Sequence, residues 1–96
     1  MIAFDVYLNG GKVCTAGSND LTELSAAVYL FPRRHRRDNQ GLNLAVSGVA
    51  STPEEFFEWA HRQLRIGDKV EIEIVESPTS DKARRRLRPA QRHVRQ

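Results

Sequence analysis

One cysteine and three histidines are the first side chains of this chain to consider as nucleophile, base or metal ligand. A catalytic thiol needs a neighbouring base and a lowered pKa, and no histidine adjoins Cys14 in the sequence. His35, His61 and His93 lie too far apart for a local metal motif, and His35 and His93 stand among arginines that repel a cation. The pattern therefore predicts no catalytic residue, no metal site and no cofactor.

Carboxylates are the second group with possible chemistry. Asp5, Glu71 and Glu73 are expected on the outer face of one sheet, where paired carboxylates could do acid–base work. Alternating glutamates are also typical of a solvated sheet face. Because no nucleophile, base and oxyanion donor converge in the sequence, we expect a non-enzymatic protein with no small-molecule substrate.

Arginine clusters carry the strongest functional signal of this chain, which has twelve Arg and only three Lys. Arginine binds phosphate through two hydrogen bonds, so the clusters 33–37 and 82–95 favour contact with RNA or DNA. Neither cluster is interleaved with aromatic residues that could stack on bases. A solvated loop and a flexible tail remain the alternative. The arginines expected to contact a partner or nucleic acid are Arg33, Arg34, Arg36, Arg37, Arg84, Arg85, Arg86 and Arg88.

Charge divides the chain unevenly. Residues 1–76 hold eight Lys/Arg against eleven Asp/Glu, a net charge of −3, whereas residues 77–96 hold seven Lys/Arg against one Asp, a net charge of +6. We predict one domain over 1–76 and a flexible basic tail over 77–96 that could anchor an acidic partner. The single cysteine, the missing signal peptide and the missing apolar run predict a cytoplasmic protein without a membrane partner.

Protein contact is the other function that the sequence suggests. Trp59 falls off the apolar stripe of its predicted helix, and an exposed aromatic suits a protein partner. Closure of the core edge is the alternative role for Trp59. The strand 42–48 or the strand 12–15 is expected at a sheet edge, where a partner could add a strand.

Strands are predicted at both ends of the predicted domain. Residues 2–8 alternate in hydropathy, and Asn9-Gly10 signals a hairpin returning over 12–15. A two-residue turn pairs Val6 with Val13 if it lies at Asn9-Gly10, or Leu8 with Val13 if it lies at Gly10-Gly11, and either leaves Cys14 outside. A three-residue turn pairs Val6 with Cys14 and buries the thiol. We favour the two-residue turn. Further strands are expected over 42–48 and 70–75.

Two helices are predicted between these strands. The first follows Asp20 and ends at Pro32, with apolar residues spaced three and four apart. The second begins at Thr52-Pro53 and ends at Gly67, with a capping box and a similar stripe. Their apolar faces are formed by Leu21, Leu24, Val28 and Phe31, and by Phe57, Ala60 and Leu64.

The element order is therefore β-β-α-β-α-β, an α+β fold with one mixed four-stranded sheet and helices on one face. The expected core consists of Ile2, Phe4, Val6, Leu8, Val13, Leu21, Leu24, Val28, Phe31, Leu42, Leu44, Val46, Phe57, Leu64, Val70, Ile72 and Ile74.

The phrase Leu64-Arg65-Ile66-Gly67-Asp68 before the last strand resembles the end of small sulfur-carrier domains of the ubiquitin-like β-grasp fold. The hairpin and the last strand also resemble short uncharacterised bacterial proteins. The resemblance implies a β-grasp fold over 1–76, but carriers act through a terminal Gly-Gly that this sequence lacks. We therefore expect a small binding module that uses a sheet edge or the helix face with Trp59. The alternative is an accessory protein that binds RNA or DNA.

Overall fold

The computed structural model describes residues 1–31, 41–51 and 54–87, and within these ranges it contains strands and no helix. The strands are β1 (Ile2–Leu8), β2 (Gly11–Ala16), β3 (Leu21–Leu30), β4 (Leu42–Ser51), β5 (Glu54–Gln63), β6 (Val70–Glu76) and β7 (Arg85–Leu87). They form a three-stranded sheet in the order β2-β1-β6 and a four-stranded sheet in the order β3-β4-β5-β7. Every strand pair is antiparallel.

The predicted fold class is therefore wrong. Over the residues that the structure describes, the chain is all-β rather than α+β, and the β-β-α-β-α-β order with helices on one face does not occur there. The resemblance to ubiquitin-like β-grasp and sulfur-carrier domains fails with it, because that fold requires a helix. Strands β1, β2, β4 and β6 lie where they were predicted, whereas β3 and β5 replace the two helices. Thr52-Pro53, the predicted helix start, lies outside the described residues.

Irregular strand pairing explains both wrong helices. In β3, Leu21 pairs with Ala50 and Leu24 pairs with Gly48, so Thr22 is an extra residue. A β-bulge of this kind places residues three apart on the same face of a strand, which is the spacing of a helix. The helical spacing of Leu21 and Leu24 is thus produced by a bulged strand.

The same irregularity occurs in β5. Phe57 pairs with Gly48 and Ala60 pairs with Val46, which leaves Trp59 as the extra residue. Phe57 and Ala60 consequently share the inner face although they are three residues apart. After the strand ends, the amide of Leu64 donates to the carbonyl of Leu42 (2.8 Å), so Leu64 continues the pairing of β5 with β4 by one residue.

The first hairpin confirms the predicted turn but not the predicted side of the cysteine. Asn9 and Gly10 have φ angles of 52° and 85°, the conformation that a tight two-residue hairpin turn requires. A bulge at Val13 then shifts the register, so that Val6 pairs with Cys14. Cys14 therefore faces inward and is buried.

The core lies between the two sheets. Val6, Leu44 and Val46 are fully buried side chains. The complete cluster is Val6, Cys14, Ala16, Leu44, Val46, Trp59, Ala60 and Leu64. Five residues that were predicted for the core are instead exposed, namely Ile2, Val28, Phe31, Ile72 and Ile74. Apolar surface of β1, β3 and β6, and of Phe31 just after β3, therefore remains open to solvent.

Residues 77–87, here called the bridging segment, connect the two sheets after β6. The amide of Asp81 donates to the carbonyl of Thr15 on β2, and the amide of Thr15 donates to Asp81 Oδ2, both at 2.8 Å. Further along, Glu58 of β5 pairs with Arg85 of β7. The bridging segment therefore contacts an edge of each sheet. The division of the chain at residue 76 stays a prediction, since residues 88–96 lie outside the described residues.

Candidate functional site

Strand β6 forms one edge of the three-stranded sheet, since β1 is its neighbour on one side and the described residues supply no strand on the other. The amide of Ser77 donates to the carbonyl of Met1, and the carbonyl of Lys69 accepts from the amide of Asn9. Backbone groups alternate in direction along a strand, so odd-numbered residues of β6 face β1. The N–H and C=O groups of Ile72 and Ile74 consequently point outward from the edge.

Apolar side chains project from the same strand. Ile72 and Ile74 pair with Val6 and Phe4, on the face of the sheet that contributes to the core. Ile72 is 40% exposed and Ile74 is 72% exposed, and Ile2 beside them is 64% exposed. We call Ile2, Ile72 and Ile74 the apolar edge patch. It is open apolar surface next to backbone groups that no described strand pairs with.

The opposite face of this edge is negative. Glu73 pairs with Asp5 and Glu71 pairs with Tyr7, so the carboxylates expected to share a face do share it. Asp5 accepts a hydrogen bond from Thr15 Oγ1 (2.6 Å) and lies 3.4 Å from Lys12 Nζ, and these two contacts lower its pKa. Within the described part of the chain, Glu71 and Glu73 make no ion pair.

The sequence placed the sheet edge elsewhere. Strand 42–48 was one candidate, but β4 lies between β3 and β5. Strand 12–15 was the other, and β2 is indeed an edge, although the bridging segment bonds to it at Thr15. The alternation in 70–75 was visible in the sequence, but its exposure depends on which strand lies beside it.

Trp59 lies inside the protein rather than on an open surface. It is 8% exposed, its indole N–H donates to the carbonyl of Asp81 (2.8 Å), and its ring centre is 6.0 Å from that of Phe57. It lines a groove of about 410 Å³ together with Lys82 and Arg86. A partner in this groove would reach only part of the ring, and contact through Trp59 stays a prediction.

Arg84, Arg85 and Arg86 lie on or beside β7 and face carboxylates of β5. Arg86 Nη2 is 2.9 Å and 3.2 Å from the two carboxylate oxygens of Glu55, and its guanidinium lies 5.2 Å from the ring centre of Phe57. Arg84 and Arg85 are 3.6 Å and 3.9 Å from Glu58 Oε1. A phosphate would compete with these carboxylates. The other arginines predicted to make contacts, Arg33, Arg34, Arg36, Arg37 and Arg88, lie outside the described residues.

Cys14 has the environment of an inert thiol. Burial raises its pKa to about 11, and the nearby carboxylate of Asp81 acts in the same direction. The thiolate, which is the reactive form, is therefore scarce near neutral pH. No group of three side chains suited to holding a metal ion occurs among the residues that the structure describes.

We expect Cys14 to react with a thiol reagent at least about tenfold more slowly in the folded than in the unfolded protein at about pH 8. A pKa two units above the usual value lowers the thiolate fraction by about 100-fold, and the greater nucleophilicity of a more basic thiolate offsets part of this. The unfolded thiol loses its proton near pH 9 and the folded thiol near pH 11, so this group also makes stability fall between those values. Absorbance of the released leaving group measures the rate, with labelling in denaturant as control. Equal rates would show that the thiol is open to solvent.

Comparison of the chain with protein-family models, with curated proteins and with solved structures found no match. Among the described residues, no helix is long and apolar enough to cross a membrane.

Proposed function

We propose that this protein is a non-enzymatic binding module that takes up an extended segment of another protein as an added strand along β6. One observation carries the proposal: β6 is a sheet edge whose outward backbone groups lie beside the exposed side chains of Ile72 and Ile74. Strand addition uses these two features together, since main-chain hydrogen bonds give affinity and alternate side chains give specificity.

The regularity of β6 supports the same function. Natural proteins block exposed edges with charged side chains, lysine especially, and with prolines, bulges or very short strands, and the charges of β6 are three glutamates. Strand β6 has seven residues, contains neither proline nor lysine, and pairs with β1 without interruption from Val70 to Glu76. An open edge of this kind promotes association unless a partner occupies it. Occupation by a partner strand in the cytoplasm is the role that we assign to it.

Replacing Ile74 with proline tests the role of the backbone. Because the N–H of Ile74 points away from β1, proline removes an outward donor without removing a hydrogen bond to β1. Ile74→Ala is the matched variant, which shortens the side chain but keeps the donor. We expect the Ile74→Ala variant to capture less of the proteins that the wild type captures, and the Ile74→Pro variant to capture none of them.

The capture experiment needs a control for folding and a control for surface hydrophobicity. Melting temperatures of both Ile74 variants show whether the fold persists, and Val28→Ala, at an exposed position of β3, removes similar apolar surface elsewhere. Unchanged capture by a folded Ile74→Pro variant would refute strand addition at this edge.

Nucleic-acid binding through the arginine clusters 33–37 and 82–95 is the second candidate function. It is favoured by the exposed side chains of Lys82, Arg84, Arg85 and Arg86, of which Arg85 and Arg86 belong to β7, the edge strand of the four-stranded sheet. Anisotropy of labelled RNA and duplex DNA at rising salt tests it. This function requires affinity that falls steeply with salt, with a slope of about −0.7 per phosphate contacted on a single strand. No binding at low salt would exclude it.

A further inference from the structure

We infer that the strand accepted by β6 is amphipathic, with apolar residues on one face and lysine or arginine on the other. This inference rests on the proposed function, because it specifies the chemistry of the partner at the same edge. It follows from the two faces of β6, which differ sharply in character. Ile72 and Ile74 project from one face, and Glu71 and Glu73 project from the other.

The geometry of pairing transfers this pattern to the partner. Residues that lie opposite each other in neighbouring strands project from the same face of the sheet. A strand along β6 therefore places alternate side chains beside Ile72 and Ile74, on the face where the apolar edge patch is open to solvent. Apolar residues at those positions would cover surface that the protein itself leaves uncovered.

The intervening residues of the partner come to lie beside Glu71 and Glu73. The nearby charges of the sheet are already engaged, since Asp5 pairs with Lys12 and Glu76 with the amino group of Met1 (2.7 Å). Neither glutamate makes an ion pair with a described residue, and this includes Lys69 just before the strand. Opposite charges on facing strands stabilise a sheet, so basic residues are favoured at these positions.

A second copy of this chain fits the same edge poorly. A two-fold antiparallel pair that overlaps the whole of β6 would place Glu73 directly opposite Glu73 of the other copy. Like charges that face each other across strands are destabilising. The charge pattern therefore favours a different protein with a basic face over self-association.

Labelled synthetic peptides of about nine residues, long enough to cover the seven of β6, test the inference. Four probes are compared by fluorescence anisotropy with the full chain: alternating Val/Lys, alternating Val/Thr, alternating Val/Glu, and a block peptide with the composition of the first. We expect the Val/Lys peptide to bind about tenfold more tightly than Val/Thr, which corresponds to two cross-strand ion pairs of about 0.7 kcal/mol each. The Val/Glu peptide should bind most weakly.

Variants of the protein locate the effect. Glu73→Lys leaves one acidic and one basic residue on that face and should abolish the preference for Val/Lys over Val/Glu, whereas Glu23→Lys, at an exposed position on β3, changes net charge equally and should leave the preference intact. Ile74→Ala should lower the affinity of the protein for all three alternating peptides. Rising salt should reduce the advantage of Val/Lys over Val/Thr, because exposed ion pairs are screened.

The possible outcomes separate the inference from the proposed function. Equal affinity for Val/Lys and Val/Thr, or an unchanged preference in Glu73→Lys, would overturn the basic face while strand addition stands. Absence of binding by every alternating peptide would overturn strand addition itself. The same conclusion would follow if the block peptide bound as tightly as the Val/Lys peptide of the same composition. A concentration-dependent dimer that Ile74→Pro abolishes would assign the edge to a second copy and overturn the inference.

Discussion

Replacing Trp59 with alanine is expected to lower the free energy of unfolding by about 3–5 kcal/mol, the usual cost of removing a buried tryptophan from a core. The side chain is 8% exposed and contacts Phe57. A Cβ atom at Gly48 would lie 3.1 Å from Cζ3 of Trp59, so the indole fills the space that this glycine leaves open. Chemical denaturation at constant slope measures the change, and the melting temperature should fall by more than about 12 °C.

Trp59→Phe is the matched control for the ring. It keeps most of the apolar volume but removes the indole N–H that donates to the carbonyl of Asp81. We expect a smaller loss of about 1–2 kcal/mol from the missing hydrogen bond and the reduced volume. If the free energy of unfolding of Trp59→Ala lay within about 1 kcal/mol of the wild-type value, the burial of Trp59 would be unimportant for stability. A role of Trp59 in partner contact would then gain support.

Removing the bridging segment is expected to be the other large perturbation. A chain that ends at residue 76 loses the hydrogen bonds of Asp81 with Thr15 and Trp59, and it leaves β5 without β7. Ala83, which packs against the core, is removed as well. We expect a loss of at least about 3 kcal/mol, because several hydrogen bonds worth about 1 kcal/mol each disappear together with buried apolar area.

A chain that ends at residue 87 is the appropriate reference for this truncation. The difference in free energy of unfolding between chains 1–87 and 1–76 measures the contribution of the described residues 77–87 without that of the residues that follow. Asp81→Ala tests one link separately, since it removes the carboxylate that accepts from the amide of Thr15 but keeps the carbonyl that accepts from Trp59. Equal melting temperatures for the two truncated chains would contradict the packing of the bridging segment on the two sheets.

Local sequence signals predicted the regular parts of this fold. The alternation in residues 2–8 and 70–75 and the Asn9-Gly10 turn correspond to β1, β6 and the first hairpin. These signals depend on neighbours in sequence, and a regular strand or a tight turn preserves them. The wrong predictions, namely the two helices and the outward-facing Cys14, come from β-bulges, in which one residue of a strand has no partner in the neighbouring strand. Thr22 and Trp59 create helical spacing within strands, and Val13 turns Cys14 inward.

The candidate site was only partly visible in the sequence. The two faces of β6 follow from alternation, but their exposure depends on the sheet order, which places β6 at an edge. The arginines of 84–86 stood out by composition, whereas their carboxylate partners lie about thirty residues away on β5. Pairing across that distance is set by the tertiary fold, so a sequence pattern could not distinguish open arginines from paired ones.

The position of β1 between β2 and β6 has a consequence for biosynthesis. The strands β3, β4 and β5 pair with their neighbours in sequence, so they can form hairpins as soon as they leave the ribosome. In contrast, Ile2 pairs with Glu76, and closing that long loop is slow compared with forming a hairpin. Strand β1 can form its hairpin with β2 early, but its other edge must wait for β6, and until then the backbone groups of that edge are accessible to chaperones and to other nascent chains.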